Sequence, residues 1–294
     1  MSTTPTYALA PTFLGLARRD RDSAICVAGA PFDIGTTFRS GARFGPEAIR
    51  QASRMLVDGA HPGRWVEPAR LDLSDIGNFS LALGEIPQSL ALLEAQARGI
   101  AHLVTLGGDH SITLALLRAL ARGGEPVALL HFDAHVDAWP DSFGNPYGHG
   151  SVFYHAIEER LVDPKRMVQV GIRSPVPRSV HDWLVDKGVT ILPAEAVHES
   201  GPAAVAATIR DVIGDAGAYL SFDIDALDPA FAPGTGTPEI GGLATWQVQA
   251  ILRRLEGMRF RGMDVVEVSP PYDHADITAL AAATIAWEYL SLLA

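Results

Sequence analysis

Three short apolar runs, each ending in acidic or histidine residues, set the limits on what this chain can become. His102-Leu-Val-Thr-Leu106 runs into Gly107-Gly-Asp-His110, and Val127 to Phe132 runs into Asp133-Ala-His-Val-Asp137. Ala218-Tyr-Leu220 runs into Ser221-Phe-Asp-Ile-Asp-Ala-Leu-Asp228. Runs this short and this continuously apolar read as strands buried on both faces, the habit of a parallel sheet covered by helices. Further strands are expected at Ala24–Ala28, Leu71–Asp75, Met167–Ile172, Val189–Leu192 and Arg261–Val268. Between them, Glu47–Met55, Pro87–Arg98, Ser111–Ala121, Val152–Leu161, Ser179–Asp186, Pro202–Ile213, Trp246–Leu255 and Ile277–Leu293 carry helical patterns. Gly123-Gly124 is expected to close the third of these, and Thr245 to cap the seventh.

Alternation of strand and helix predicts the α/β class. The expected form is a three-layer α/β/α sandwich around a mostly parallel sheet of about eight strands, open rather than closed into a barrel. No internal repeat or linker divides the chain. One domain over 1–294 is expected, with residues 1–22, which hold Pro5 and Pro11, as an N-terminal arm.

Charge and composition exclude several functions. The chain has 34 acidic against 23 basic residues, a formal charge of −11, so no basic face for nucleic acid is expected. An acidic field suits a small cationic substrate. No apolar run reaches the length of a membrane span. Lone Cys26 permits no intrachain disulfide and points to a reducing, cytoplasmic setting.

In open parallel sheets, ligands bind outside the carboxyl ends of the strands. The three runs deliver His110, Asp133, His135, Asp137, Asp223 and Asp225 to that edge. If Asp133 to Asp137 stays extended, its three polar side chains leave one face. Alone, that Asp-x-His-x-Asp stretch reads equally as a hydrogen-bonded loop. Taken with the other two segments it points to metal, because so many buried carboxylates need positive charge and few Lys or Arg lie nearby. Six ligands exceed one tetrahedral zinc site and suit a pair of ions. The glycines of Asp33 to Gly45 permit tight turns beside a ligand, and no phosphate-loop pattern is present.

These three stretches resemble the metal signatures of the ureohydrolases, the family of arginases, agmatinases and guanidino-acid hydrolases. The resemblance continues through Ser40–Pro46, Tyr147-Gly-His-Gly150, Val170-Gly-Ile-Arg173, Phe231–Pro238 and Asp264–Pro270, and so covers about residue 25 to the C-terminus. It implies an open eight-stranded α/β fold, two Mn2+ ions per chain, a homotrimer or homohexamer, and release of urea from a guanidinium compound. It further implies that His110 and Asp137 complete the first metal site and His135 and Asp225 the second, with Asp133 and Asp223 bridging. Glu267 matches the carboxylate that grips the substrate guanidinium, and His149 the histidine that moves protons near the leaving amine. Asp137 is also expected to pass a proton to the leaving nitrogen. His131, His155, His181 and His198 match nothing and read as structural or surface groups.

Within the family the pattern lies nearer the agmatinases than the arginases, whose Asn-rich recognition segment is not evident in Trp139–Tyr147. Ala138 and Ala244 stand where agmatinases often carry Thr. The expected reaction is cleavage of agmatine to putrescine and urea. The alternative is a guanidino-acid hydrolase acting on a compound such as 4-guanidinobutyrate, which requires a cation at the far end of the pocket; Arg39, Arg43 and Arg173 are the candidates. A non-catalytic metal-binding paralogue is the alternative of a different class.

Overall fold

Among the described residues, eight strands form one sheet in which every pairing is parallel. They are β1 (Ile25–Ala30), β2 (Leu73–Asn78), β3 (Leu103–Gly107), β4 (Val127–Phe132), β5 (Val162–Ile172), β6 (Thr190–Pro193), β7 (Ala218–Asp223) and β8 (Phe260–Val266), in the order β2-β1-β3-β8-β7-β4-β5-β6. The helices are α1 (Gly45–Ser53), α2 (Ile86–Ala97), α3 (Ile112–Ala121), α4 (Val152–Glu158), α5 (Arg178–Lys187), α6 (Ala194–Ile213), α7 (Thr245–Arg253) and α8 (Ile277–Leu292). The computed structural model describes residues 5–121 and 124–294, so Gly123 and the first four residues of the arm lie outside the described residues.

The period-2 alternation of the strands sorts their side chains into two apolar layers. On β4, Ala128, Leu130 and Phe132 pack in one layer with Ile49 of α1, Ile209 of α6, Ile251 of α7 and Ala282 of α8. Val127 and Leu129 face the other layer, with Leu93 of α2, Leu117 of α3, Phe153 of α4 and Leu184 of α5. This is the expected three-layer sandwich. Among the described residues, no helix is long and apolar enough to cross a membrane.

Local chemistry moved several boundaries. α6 begins at Ala194 rather than Pro202: Gly201, at φ 76°, breaks the helix, and Pro202 opens its second half. α7 begins at Thr245 itself, so Thr245 is not its cap. The cap position is Ala244, which has no side-chain oxygen, and the Gln247 side chain accepts the Ala244 N–H at 2.9 Å instead. α4 stops at Glu158, and β5 already begins at Val162.

One half-buried contact at the start of β3 predicts a pH dependence. His102 Nε2 lies 2.7 Å from the hydroxyl of Tyr289 on α8. Burial, aided by the charge of Arg261, pushes the His102 pKa down to about 4. The folded chain therefore refuses a proton that the unfolded chain accepts below about 6.5. Stability from this group is complete above that value and declines as pH falls towards about 4, by roughly 3 kcal/mol in all. Urea unfolding across this range should show a shallower fall for His102→Gln than for wild type. Equal pH slopes would contradict the assignment.

Candidate metal centre

Sheet order places the motif-bearing strands side by side. β3, β8, β7 and β4 are consecutive neighbours. Their carboxyl ends therefore bring together His110, Glu267, Asp223 with Asp225, and the stretch Asp133 to Asp137. Chain order alone would set β3 beside β4, but in the sheet two later strands, β8 and β7, insert between them.

The Asp133 stretch is not extended, contrary to the expected alternation. β4 ends at Phe132, Asp133 Oδ1 accepts the His135 N–H at 2.6 Å, and Asp137 sits at φ 44°. A non-glycine residue in that region is strained. The turn sends Asp137 and His135 to different partners. Around His110 Nδ1 lie Asp137 Oδ2 at 2.9 Å and Asp133 Oδ2 and Asp223 Oδ2 at 3.3 Å each. Around His135 Nδ1 lie Asp225 Oδ2 at 3.1 Å and Asp133 Oδ1 at 3.3 Å. Within each group the ligand atoms lie within 4.8 Å of one another, the spacing a shared cation requires. Asp133 belongs to both groups, through different oxygens. Asp223, expected to share as well, turns its other oxygen to the Asp225 N–H at 2.9 Å.

These groups are short of positive charge. Burial, reinforced by the charges of Asp225 and Asp133, pushes Asp223 well above the usual carboxylate range. Burial and Asp133 push Asp225 up to about 6. Burial opposes charge on the imidazoles, yet the carboxylates overcome it. His135 is pushed up to about 12, chiefly by Asp225 and Asp133, and His110 is raised well above its ordinary value by Asp133, Asp137 and Asp223.

The orientation of His110 fits a cation. Its Nε2 lies 2.9 Å from Ser221 Oγ, whose own proton goes to Asp264 Oδ1 at 2.7 Å. Nε2 therefore donates, which leaves Nδ1, on the side of the carboxylates, as the ring atom that would give up its proton to a bound cation. Nδ1 is buried and none of those oxygens is in line for a hydrogen bond with it. An imidazole nitrogen set among carboxylates, with hard oxygen donors predominating, suits a divalent ion of the manganese type.

Beside the groups stands Glu267, one residue past β8, at φ 64°. Its Oε1 accepts the His110 N–H at 2.8 Å and lies 2.9 Å from His149 Nδ1. Its Oε2 is buried without a partner. Gly236 faces this atom: a Cβ there would stand 3.5 Å from Oε2 and 2.9 Å from the Arg39 carbonyl, so a side chain would crowd the approach. His149 Nε2 meets both Thr37 Oγ1, at 2.8 Å, and Thr37 N–H, at 3.2 Å. The hydroxyl can accept from a charged ring and the amide can donate to a neutral one. Burial opposes a charge on His149, but Glu267, Asp137 and Asp109 together push its pKa up to about 9. A pocket of about 490 Å³ opens over this centre, with His135, Asp137, Asp223, His149, Trp139 and Asp141 in its wall.

Sequence reasoning missed three supporting residues. Asp109 accepts the Gly35 N–H at 2.8 Å and so ties the glycine-containing loop before α1 to the site. Burial and the nearby Glu267 charge push Asp109 up to about 7. Asp264 receives, besides Ser221, the hydroxyls of Thr113 at 2.8 Å and Tyr219 at 2.9 Å. His131, read as merely structural, lies 2.8 Å from Asp133 Oδ2. For Asp264 and His131, a polar residue interrupting an apolar strand was the available signal. By contrast, His181 and His198 lie on the surface, and His155 is half-buried outside both groups.

Comparison with known proteins gives one family. The arginase family profile matches residues 23–291. The agmatinase of Chromobacterium violaceum is 46% identical over 281 residues, which cover 92% of this chain and 83% of that one. The solved proclavaminate amidino hydrolase of Streptomyces clavuligerus superposes with a TM-score of 0.92 at 40% identity, over 98% of each chain. A hypothetical agmatinase from Burkholderia thailandensis superposes with a TM-score of 0.91 at 43% identity, over 98% of this chain and 92% of the other.

Proposed function

The chain belongs to the arginase family, and on that premise we propose that it is a manganese-dependent agmatinase, hydrolysing agmatine to putrescine and urea. The ligands proposed are His110, Asp133, Asp137 and Asp223 for one ion and His135, Asp133, Asp225 and a shared Asp223 for a second. Bound there, divalent cations supply Lewis acidity, which lowers the pKa of water and provides a nucleophile at neutral pH. Glu267 Oε2 pairs with the substrate guanidinium and fixes its carbon in place. His149, holding its proton through Glu267 and Thr37, donates it to the departing amine. Asp137 carries the proton released by water towards the same nitrogen.

The observation that carries agmatine over a guanidino acid is the pocket wall. Among the described residues it contains no Lys or Arg, and it contains Asp141. The three arginines that could greet a substrate carboxylate are engaged elsewhere. Arg173 donates to the main-chain carbonyls of Asp225 and Glu239 at 2.7 Å each, and to those of Gly171 and Ile240 at 3.1 Å. Arg43 pairs with Asp33. Arg39 lies over the rings of Phe38 and Tyr272, 5.2 and 5.1 Å from their centroids. A cationic tail meets Asp141 favourably, and an anionic tail is repelled.

Parallel urea assays on agmatine and 4-guanidinobutyrate test this. Agmatine should be the better substrate, and Asp141→Asn should raise its KM by about 2- to 5-fold, the worth of an exposed ion pair. Faster turnover of 4-guanidinobutyrate would replace the agmatinase reading with the guanidino-acid one. Manganese binding with no urea from either compound would favour the non-catalytic paralogue.

We take the chain to fold as one domain, since all eight strands share one sheet. A cytoplasmic setting accords with the buried free thiol of Cys26. Assembly as a homotrimer or homohexamer accords with the exposed apolar side chains of Ile277 and Leu280 in a groove between α7 and α8, and with exposed Trp246 on α7.

A further inference from the structure

Five neighbouring strands each contribute one polar side chain to a single row across the sheet. Thr105 on β3 is level with Asp264 on β8, Asp264 with Ser221 on β7, Ser221 with His131 on β4, and His131 with Gln169 on β5. All five residues are fully buried. Neighbours at one register share a face, here the one covered by α4, where Phe153 lies 4.3 Å from His131 between ring centroids. Polar groups in a sheet core are costly unless satisfied, so an apolar row would be the default.

We propose that the β5 end of this row, Gln169 with His131, is a positioning pair that presents Asp133 to the metal ions. The inference rests on the reading of Asp133 as a ligand. Gln169 Nε2 donates to the Val136 carbonyl at 2.8 Å and to His131 Nδ1 at 3.1 Å. A carbonyl can only accept, so the amide nitrogen must face this way, even though Gln169 Oε1 is left buried without a partner. With Nδ1 accepting, the ring proton sits on Nε2, which donates to Asp133 Oδ2 at 2.8 Å. That oxygen is the one turned to the His110 group, and the other is turned to His135. One hydrogen-bonded chain, from a backbone carbonyl inside the ligand loop to the shared carboxylate, thus fixes both the loop and the rotation of the carboxylate. Partners of this kind orient ligands and tune metal affinity.

The test uses the full chain, stripped of metal, with Mn2+ binding followed by calorimetry and folding by thermal unfolding of the stripped protein. His131→Leu should weaken Mn2+ binding about 10- to 100-fold. His131→Gln, whose amide nitrogen can stand where Nε2 stood, should restore most of that affinity. Gln169→Glu, nearly unchanged in shape, sets an acceptor against the Val136 carbonyl and releases the ligand loop from His131; it should weaken Mn2+ binding about tenfold or more. If His131→Leu does not fold, the other two variants decide. Variants that lose thermal stability but bind Mn2+ as wild type does would overturn the positioning role and leave the metal site standing. A wild-type chain that binds no Mn2+ would overturn the metal reading itself, and this inference with it.

Discussion

In the Asp133→Ala protein, urea release should fall by roughly 10²- to 10³-fold or more. Asp133 offers one oxygen to each ligand group and also accepts from His131 and from the His135 amide. Loss of a partner that merely orients a metal ligand costs about 10- to 100-fold in affinity or activity, and loss of a ligand shared by both groups should cost more. The fold should survive, because Asp133 lies past the end of β4 and outside the apolar layers. Loss of its hydrogen bonds is partly offset in the stripped protein, since its charge is among the causes that raise Asp223 and Asp225. Circular dichroism, metal analysis and a urea assay at saturating Mn2+ check this together. Near-normal urea release would contradict a two-ion centre.

Glu267→Gln should separate substrate binding from metal loading. The Gln oxygen can keep the acceptor place of Oε1 towards His110 N–H and His149, while an NH2 group replaces the unpartnered Oε2. A guanidinium arriving there loses a charge-assisted partner, at about 1.5–3 kcal/mol, or on the order of 10- to 100-fold in kcat/KM. Manganese content should stay near wild type. The alkaline limb of the pH profile should move to lower pH, because the Glu267 charge leads the interactions that raise His149. An unchanged kcat/KM would remove Glu267 from the substrate site, and loss of manganese would place it among the ligands.

Much of this was legible in the sequence because parallel strands and edge ligands are local patterns. Apolar runs ending at His110, Asp133 and Asp223 announce both the sheet and its functional edge. What the runs do not carry is neighbourhood. Gln169 and His131 lie 38 residues apart, and their pairing follows from strand order, which is non-local. The backbone turns at Asp137 and Glu267, both at positive φ, are also invisible in the sequence, because neither position is a glycine. Arg173 misled for a third reason: an arginine near a site suggests a ligand contact, but burial and main-chain carbonyls claim this one.

The most direct measurement is urea release from agmatine by chelator-stripped protein as Mn2+ is added back. Activity should be near zero in the stripped protein, rise with Mn2+, and saturate with two ions bound per chain. Urea release that survives full stripping, or that never appears at any Mn2+ concentration, would contradict the account.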